Sequence, residues 1–182
     1  MTTTSLKLNL PKDIWTAKDT LRLAQNTLAM IKFRTSKGQS ASDKQRYFKP
    51  YSTRPIYIQK RGVGLTPKGG RPSRTGNSVF YAGGYRAYKH YSRRRTTGAK
   101  AFVRQQSAEV DLVLSGNLMN NLVVTTANKY RFKIGLTAHV AYYGYDVNAV
   151  RPFLGLTSAD IDVIHDTVRF DLEAKLKKGT KR

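Results

Sequence analysis

Residues 118–136 read Leu118-Met119-Asn120-Asn121-Leu122-Val123-Val124-Thr125-Thr126-Ala127-Asn128-Lys129-Tyr130-Arg131-Phe132-Lys133-Ile134-Gly135-Leu136, and the apolar spacing here fixes the expected fold class. Tyr130, Phe132 and Ile134 alternate with Arg131 and Lys133, the two-residue period of a strand with one buried face. Leu118 to Thr126 carries an extended pattern as well, so the two runs predict a hairpin turning near Ala127-Asn128-Lys129. Just upstream, Val110, Leu112 and Leu114 alternate with Asp111 and Val113 until Ser115-Gly116-Asn117 interrupts them as a turn or bend. Downstream, Ala138 to Tyr145 is a further candidate strand.

Outside this block the apolar period becomes helical. From Lys12 to Arg34, Ile14, Leu21 and Leu28 recur every seven residues beside Ala17, Ala24 and Ile31. Pro11 suits a first turn, Asp13 and Asp19 lie near the positive end of the helix dipole, and Lys32 and Arg34 lie near its negative end. At the other end of the chain, Ile161, Ile164, Val168, Leu172 and Leu176 form one stripe from about Ser158 to Lys177. Thr157 and Asp160 are spaced as a capping box variant there, and Asp162 and Asp166 precede Lys175, Lys177 and Lys178. The expected fold is therefore α+β: a long N-terminal helix, a small mostly antiparallel sheet and a C-terminal helix, with a long basic loop or arm.

A chain of 182 residues accommodates one domain, which excludes a multidomain enzyme. It divides into an N-terminal helix region (1–43), a basic extended arm or loop (44–108), and the sheet with the C-terminal helix (109–182). With 40% hydrophobic and 10% aromatic residues it can build a core. Cysteine is absent, so disulfide scaffolding, thiolate zinc sites and thiol catalysis are excluded together. That fits an intracellular origin. No stretch reaches the ~18 apolar residues of a membrane span, and Met1 to Leu10 lacks a signal-peptide core, so a soluble, cytosol-made protein with no membrane partner is expected.

The net charge of +22 is regional. Lys44 to Arg104 contains sixteen Lys and Arg and no acid, while the segments on either side are nearly balanced. Such an excess repels itself and implies an anionic partner. Lys60-Arg61-Gly62-Val63-Gly64-Leu65-Thr66-Pro67-Lys68-Gly69-Gly70-Arg71-Pro72 reads as an extended loop whose length points to a functional or partner-ordered segment. In Tyr81-Ala82-Gly83-Gly84-Tyr85-Arg86-Ala87-Tyr88-Lys89-His90-Tyr91-Ser92-Arg93-Arg94-Arg95 aromatic rings alternate with cations. Two readings fit: tyrosines stacking on bases beside phosphate-binding cations, or an arm docking on an acidic protein surface with tyrosine anchors. The candidate contacts for either partner are Arg71, Arg74, Tyr85, Arg86, Tyr88, Lys89, Arg93, Arg94, Arg95, Lys100 and Arg104.

Catalytic and metal-binding patterns are not evident. His90, His139 and His165 are scattered without metal-ligand spacing. His165 beside Asp166 reads as a solvated or capping residue, and His139 as a packed or surface residue of a strand. Asp160, Asp162 and Asp166 fall in the first turns of a helix, where they complement its dipole, and Glu109 and Asp111 have no partner carboxylate. No nucleophile elbow, Walker loop or dinucleotide fingerprint occurs, and Gly62 and Gly64 open no helix. No catalytic residue, metal or cofactor is expected, and no enzymatic activity.

Several short motifs follow one another along the chain: Phe48-Lys49-Pro50-Tyr51-Ser52 after a long helix, Gly83-Gly84-Tyr85-Arg86-Ala87-Tyr88-Lys89, Leu112-Val113-Leu114-Ser115-Gly116-Asn117-Leu118-Met119, the strand pair ending at Ile134-Gly135-Leu136, and Arg151-Pro152-Phe153-Leu154-Gly155-Leu156-Thr157-Ser158-Ala159-Asp160 leading into a helix. Their order resembles the tail-completion and virion-morphogenesis proteins, the head-tail joining or neck proteins, of long-tailed bacteriophages. In that pattern Pro50, Tyr51, Ser52, Gly84, Leu114, Ser115, Gly116, Leu118, Arg151, Phe153, Leu154, Gly155 and Leu156 are candidate structural residues. Gly116 and Gly135 permit bends, Gly155 lets the chain turn between Phe153 and the cap at Thr157, and Phe153, Leu154 and Leu156 are expected beneath the last helix. Arg151 either anchors a carboxylate at a subunit boundary or is solvated. The family often shows a His followed closely by Gly after the hairpin; here Val140-Ala141-Tyr142-Tyr143 separates His139 from Gly144.

The resemblance implies a structural virion protein, assembled in the host cytoplasm. It implies a closed ring, sixfold or twelvefold, between portal complex and tail around the DNA channel, with no cofactor. Its neighbours would be neck, portal-adaptor and tail proteins, with double-stranded DNA as a secondary contact. Lys44 to Arg104 is then expected to bridge subunits or clamp an acidic neighbour. The alternative is a small basic protein that binds nucleic acid without sequence preference.

Overall fold

The computed structural model describes residues 14–59, 69–92, 110, 112 and 117–179. The fold is α+β, beginning with helix α1 (Ala17–Ser36). It starts later than Lys12 because Thr16 forms a reciprocal capping box: its backbone N–H donates to Asp19 Oδ2 at 2.8 Å while its hydroxyl accepts from the Asp19 N–H. Pro11 and Asp13 lie outside the described residues. The buried face is also rotated from the expected stripe. Thr20, Leu23, Ala24, Thr27, Ile31, Arg34 and Thr35 face inward, while Leu21 and Ala17 are exposed. Thr20 and Thr27 can occupy this face because their hydroxyls are satisfied there. Thr27 donates to the Leu23 carbonyl at 2.8 Å, and Thr20 accepts from the Trp15 indole and donates to the Lys129 carbonyl, both at 2.8 Å.

In its described part, residues 44–59 and 69–92, the basic segment expected as an arm or loop forms short strands and a helix; residues 60–68 and 93–108 lie outside the described residues. Strands β1 (Gln39–Ser42) and β2 (Gln45–Tyr47) pair antiparallel. Strands β3 (Ile56–Gln59), β4 (Arg71–Pro72) and β5 (Ser78–Tyr81) form an antiparallel sheet in the order β3-β5-β4, and helix α2 (Gly84–Ser92) packs on β5. These strands are too short for their alternation to stand out in sequence, and each finds its partner across an intervening loop.

After a single helical turn, α3 (Asn117–Asn120), strands β6 (Leu122–Asn128) and β7 (Arg131–Leu136) form the expected hairpin, closing on the Asn128–Arg131 pair. Residues 117–120 are therefore not extended. Leu118 and Met119 are adjacent and both buried, which a strand with one buried face cannot achieve. Asn121 holds the turn by donating to the Asn117 carbonyl at 2.8 Å. Leu114, Ser115 and Gly116 lie outside the described residues, as does most of the run expected as a strand from Val110.

Helix α4 (Ala138–Val150) replaces the strand expected at Ala138 to Tyr145. Its inward residues Val140, Gly144 and Val147 follow helical spacing. At Gly144 a side-chain carbon would collide with Leu136 and press on Leu118, so glycine lets α4 lie close to the hairpin and α3. Helix α5 (Ser158–Gly179) closes the chain, capped as expected: Thr157 N–H donates to Asp160 Oδ2 at 2.9 Å and Asp160 N–H donates to Thr157 Oγ1 at 3.1 Å.

Two adjoining apolar clusters form the core. Ile31, Phe48, Leu118, Leu122, Leu136, Val140 and Phe153 join α1, the hairpin, α3 and α4; Trp15, Leu23, Ala24, Phe132, Ile164 and Val168 join α1, β7 and α5. Leu156 touches both.

Candidate functional site

Three of the motifs singled out in the sequence meet around one ring, that of Tyr51. From Gly84-Tyr85-Arg86-Ala87-Tyr88-Lys89, the Tyr85 ring lies 5.2 Å from it, and Lys89 donates to the Tyr51 hydroxyl at 2.8 Å with its ammonium 4.3 Å from the ring centre. From Arg151-Pro152-Phe153, the Arg151 guanidinium lies 4.8 Å from the same ring. Each cation over a ring contributes about 0.5–2 kcal/mol, more as water is excluded. Within the chain Arg151 donates to the carbonyls of Lys49 at 3.1 Å and Pro50 at 3.3 Å. The backbone completes the junction, with Arg86 N–H donating to the Ser52 carbonyl at 3.1 Å.

Gly84 permits that approach. It sits at φ +66°, and an added side-chain carbon would strike the carbonyls of Ser52 and Arg54.

Tyr81, Tyr85 and Tyr88 of the alternating run are thus anchors within the chain. Tyr81 is fully buried and meets Tyr88 at 5.4 Å, Tyr88 meets Tyr85 at 5.7 Å, and Lys89 is 5% exposed. Burial, reinforced by neighbouring Tyr88 and opposed by Arg151, pushes the Tyr85 phenol above its ordinary pKa. Tyr85 and Tyr88 are half-buried, their rings packed against Tyr51 and Tyr81. Arg71, Arg74 and Arg86 are exposed; Arg93, Arg94, Arg95, Lys100 and Arg104 lie outside the described residues.

The outward face of the β3-β5-β4 sheet carries a different aromatic–cation row. Arg71 pairs with Phe80 and Phe80 with Tyr57 across the strands, so the three share one face. Tyr57 is 66% exposed and its ring lies 5.0 Å from Phe80. Tyr57 and Phe80 escaped the sequence reading because only pairing aligns them.

The remaining matched motif is locked by residues that sequence reasoning missed. Phe153 is fully buried. Asn148 Oδ1 accepts from the N–H groups of Phe153 and Leu154 at 2.9 and 2.8 Å. Arg34, expected near the negative end of the helix dipole, is buried in an ion pair with Asp160 and donates to the carbonyls of Phe153 at 3.2 Å and Gly155 at 2.9 Å. Burial lowers its pKa while Asp43 opposes the shift. Gly155 makes the turn at φ +143°, and Leu154 and Leu156 are half-buried against the core. His139 lies exposed in the first turn of α4, its Nδ1 3.1 Å from the Thr137 hydroxyl.

Among the described residues no helix is long and apolar enough to cross a membrane, and no three His, Asp or Glu side chains form a metal-binding group. No family model, no curated protein and no solved structure matches the chain.

Proposed function

We propose that the chain is a structural protein of the neck of a long-tailed phage particle, assembling as a ring between the portal complex and the tail around the DNA channel. The observation that carries this reading is the convergence on Tyr51. Pro50-Tyr51-Ser52, Gly84 to Lys89 and Arg151, which resemble the neck family by their order along the chain, build one interlocked junction. The locked segment from Phe153 to Asp160 supports it further, because its residues act on the fold rather than on a ligand. The exposed cations of the basic module are its surface toward neighbours, with channel DNA as a secondary contact.

Gold-labelled antibody against the chain is expected at the head-tail junction of purified particles in electron micrographs. Particles that carry no label, with the protein recovered in the nucleic-acid fraction, exclude the neck reading. Deleting Thr66 to Thr75 is expected to block particle joining while leaving the frame folded; normal tailed particles would exclude a role for the module in joining.

The row Tyr57, Phe80 and Arg71 favours a second reading, a basic protein that binds nucleic acid without sequence preference. It requires tight duplex binding whose logarithm falls with log salt by about 0.9 per phosphate neutralised.

A further inference from the structure

The two faces of the β3-β5-β4 sheet differ. Val79 and Tyr81 lie on the buried one, where Tyr81 meets Tyr88 of α2. On the other, Tyr57 and Phe80 pair across the strands with their rings 5.0 Å apart, and Tyr57 is 66% exposed. Among the described residues no cation lies over either ring, whereas Lys89 and Arg151 both lie over Tyr51. Arg71, exposed, pairs with Phe80 in the same row. Two residues further along each strand Gln59 pairs with Ser78, which sets an amide and a hydroxyl on the face of the rings. The sheet belongs to a stretch, residues 44–92, whose described part holds no Asp or Glu and eight Lys and Arg, all exposed except Lys89.

We infer that this open face binds single-stranded nucleic acid, with an unpaired base stacked on Tyr57 and the adjoining backbone phosphate held by Arg71. This deepens the second reading above and rests on it, naming the strand form that the row takes. An aromatic ring stacks on any base whose own face is free, so the contact tolerates every sequence. A duplex denies those faces, because its bases stack on one another and offer only their edges in the grooves. Phe80, half-buried, backs the Tyr57 ring from the neighbouring strand. Arg71 stands two strand spacings from Tyr57, about 10 Å, a span that its long side chain closes toward the phosphate of the stacked nucleotide. Charge selects a polyanion, and the open ring selects which one. Carboxylates of an acidic protein use the cations and leave the face of Tyr57 idle; a nucleotide uses both, since it carries a phosphate and a base.

The test is fluorescence anisotropy of the full chain with labelled oligothymidylate of about 16 nucleotides, which forms no duplex of its own, and with a duplex of equal length. Tyr57→Leu, which keeps an apolar side chain and loses the ring, is expected to weaken oligothymidylate binding about tenfold or more and to leave duplex binding unchanged. Tyr57→Phe keeps the ring and is expected to bind like the wild type. Arg71→Gln is expected to weaken strand binding and to lower the slope of log affinity against log salt by about 0.7. Tyr57 and Arg71 are both exposed, and circular dichroism checks that each variant is folded. A second measurement needs no variant: oligothymidylate carrying iodouracil, irradiated in complex with the wild-type chain, is expected to cross-link to Tyr57 or Phe80, located by mass spectrometry.

Cross-links confined to other segments overturn the inference. So does a Tyr57→Leu chain that binds oligothymidylate like the wild type, or one that loses strand and duplex binding alike. Tyr57-dependent binding of polyglutamate in place of oligothymidylate overturns it in favour of an acidic protein partner. Tight, salt-dependent duplex binding by the wild-type chain beside any of these results leaves the second reading standing and removes this one; a wild-type chain that binds neither strand form removes both.

Discussion

Arg34 shows how a single side chain ties the two ends of the chain together. Its guanidinium meets Asp160 and the carbonyls of Phe153 and Gly155, all away from solvent. Removing one partner of a buried ion pair leaves an uncompensated charge, so Arg34→Ala is expected to destabilise the protein by about 3–5 kcal/mol in urea unfolding. A loss below about 1 kcal/mol would mean that water reaches Asp160. Gly84→Ala places a side chain in left-handed backbone against two carbonyls. A loss of about 1–3 kcal/mol is expected, with hydrogen exchange accelerating in α2 before α1. The sequence offered Gly84 as a motif residue but not what it approaches, since Ser52 and Arg54 come from a segment more than a loop away. Arg34 carried no signal at all, being one more cation near a helix C-terminus.

Helices α1 and α5 run antiparallel, joined by Arg34–Asp160 near one end, Arg22–Asp171 at 2.6 Å, and Asp19–Lys175 at 2.5 Å near the other. Burial raises the Asp19 pKa, but the hydrogen bonds from Lys175 and Thr16 outweigh it and lower the carboxyl from 3.8 to about 2. A depressed carboxyl stabilises the fold above its unfolded pKa and loses that contribution as pH falls through the folded value. Stability is therefore expected to drop between pH 3.8 and about 2, by roughly 1–2 kcal/mol once solvent screening is allowed for. Asp19→Asn should flatten that part of the profile, measured by chemical denaturation across pH; an unchanged slope would assign the loss to other carboxylates. In the basic module Tyr81 is the counterpart of a core residue. Tyr81→Ala is expected to cost about 3–5 kcal/mol of local packing, so trypsin should cut within residues 44–92 sooner while the frame resists. The hairpin and α5 were legible because each is long enough to display its period. Helix α4 was misread because Tyr and Val favour strands on an open surface, and its contacts with Leu136 and Leu118 override that preference.

Charge governs the behaviour of the whole molecule. A net +22 opposes compaction, and salt screens this repulsion. The midpoint of thermal unfolding, measured by calorimetry, is accordingly expected to rise with salt. A midpoint that falls with salt would mean that ion pairs outweigh self-repulsion. Composition and local period were enough for the fold class, the hairpin, the two long helices with the capping of the second, and the confinement of excess charge to one region. These are properties of neighbouring residues, carried by spacings of two to seven positions. The direction in which each tyrosine and arginine points was settled by tertiary packing. Tyr85, Tyr88 and Lys89 turn inward because Tyr51 and Arg151 meet them there. Tyr57, Phe80 and Arg71 face outward because strand pairing aligns them on the sheet surface away from Val79 and Tyr81. An alternation of rings and cations is the same string in either case; which member is buried depends on contacts made by residues far away in the chain, and no local period encodes them.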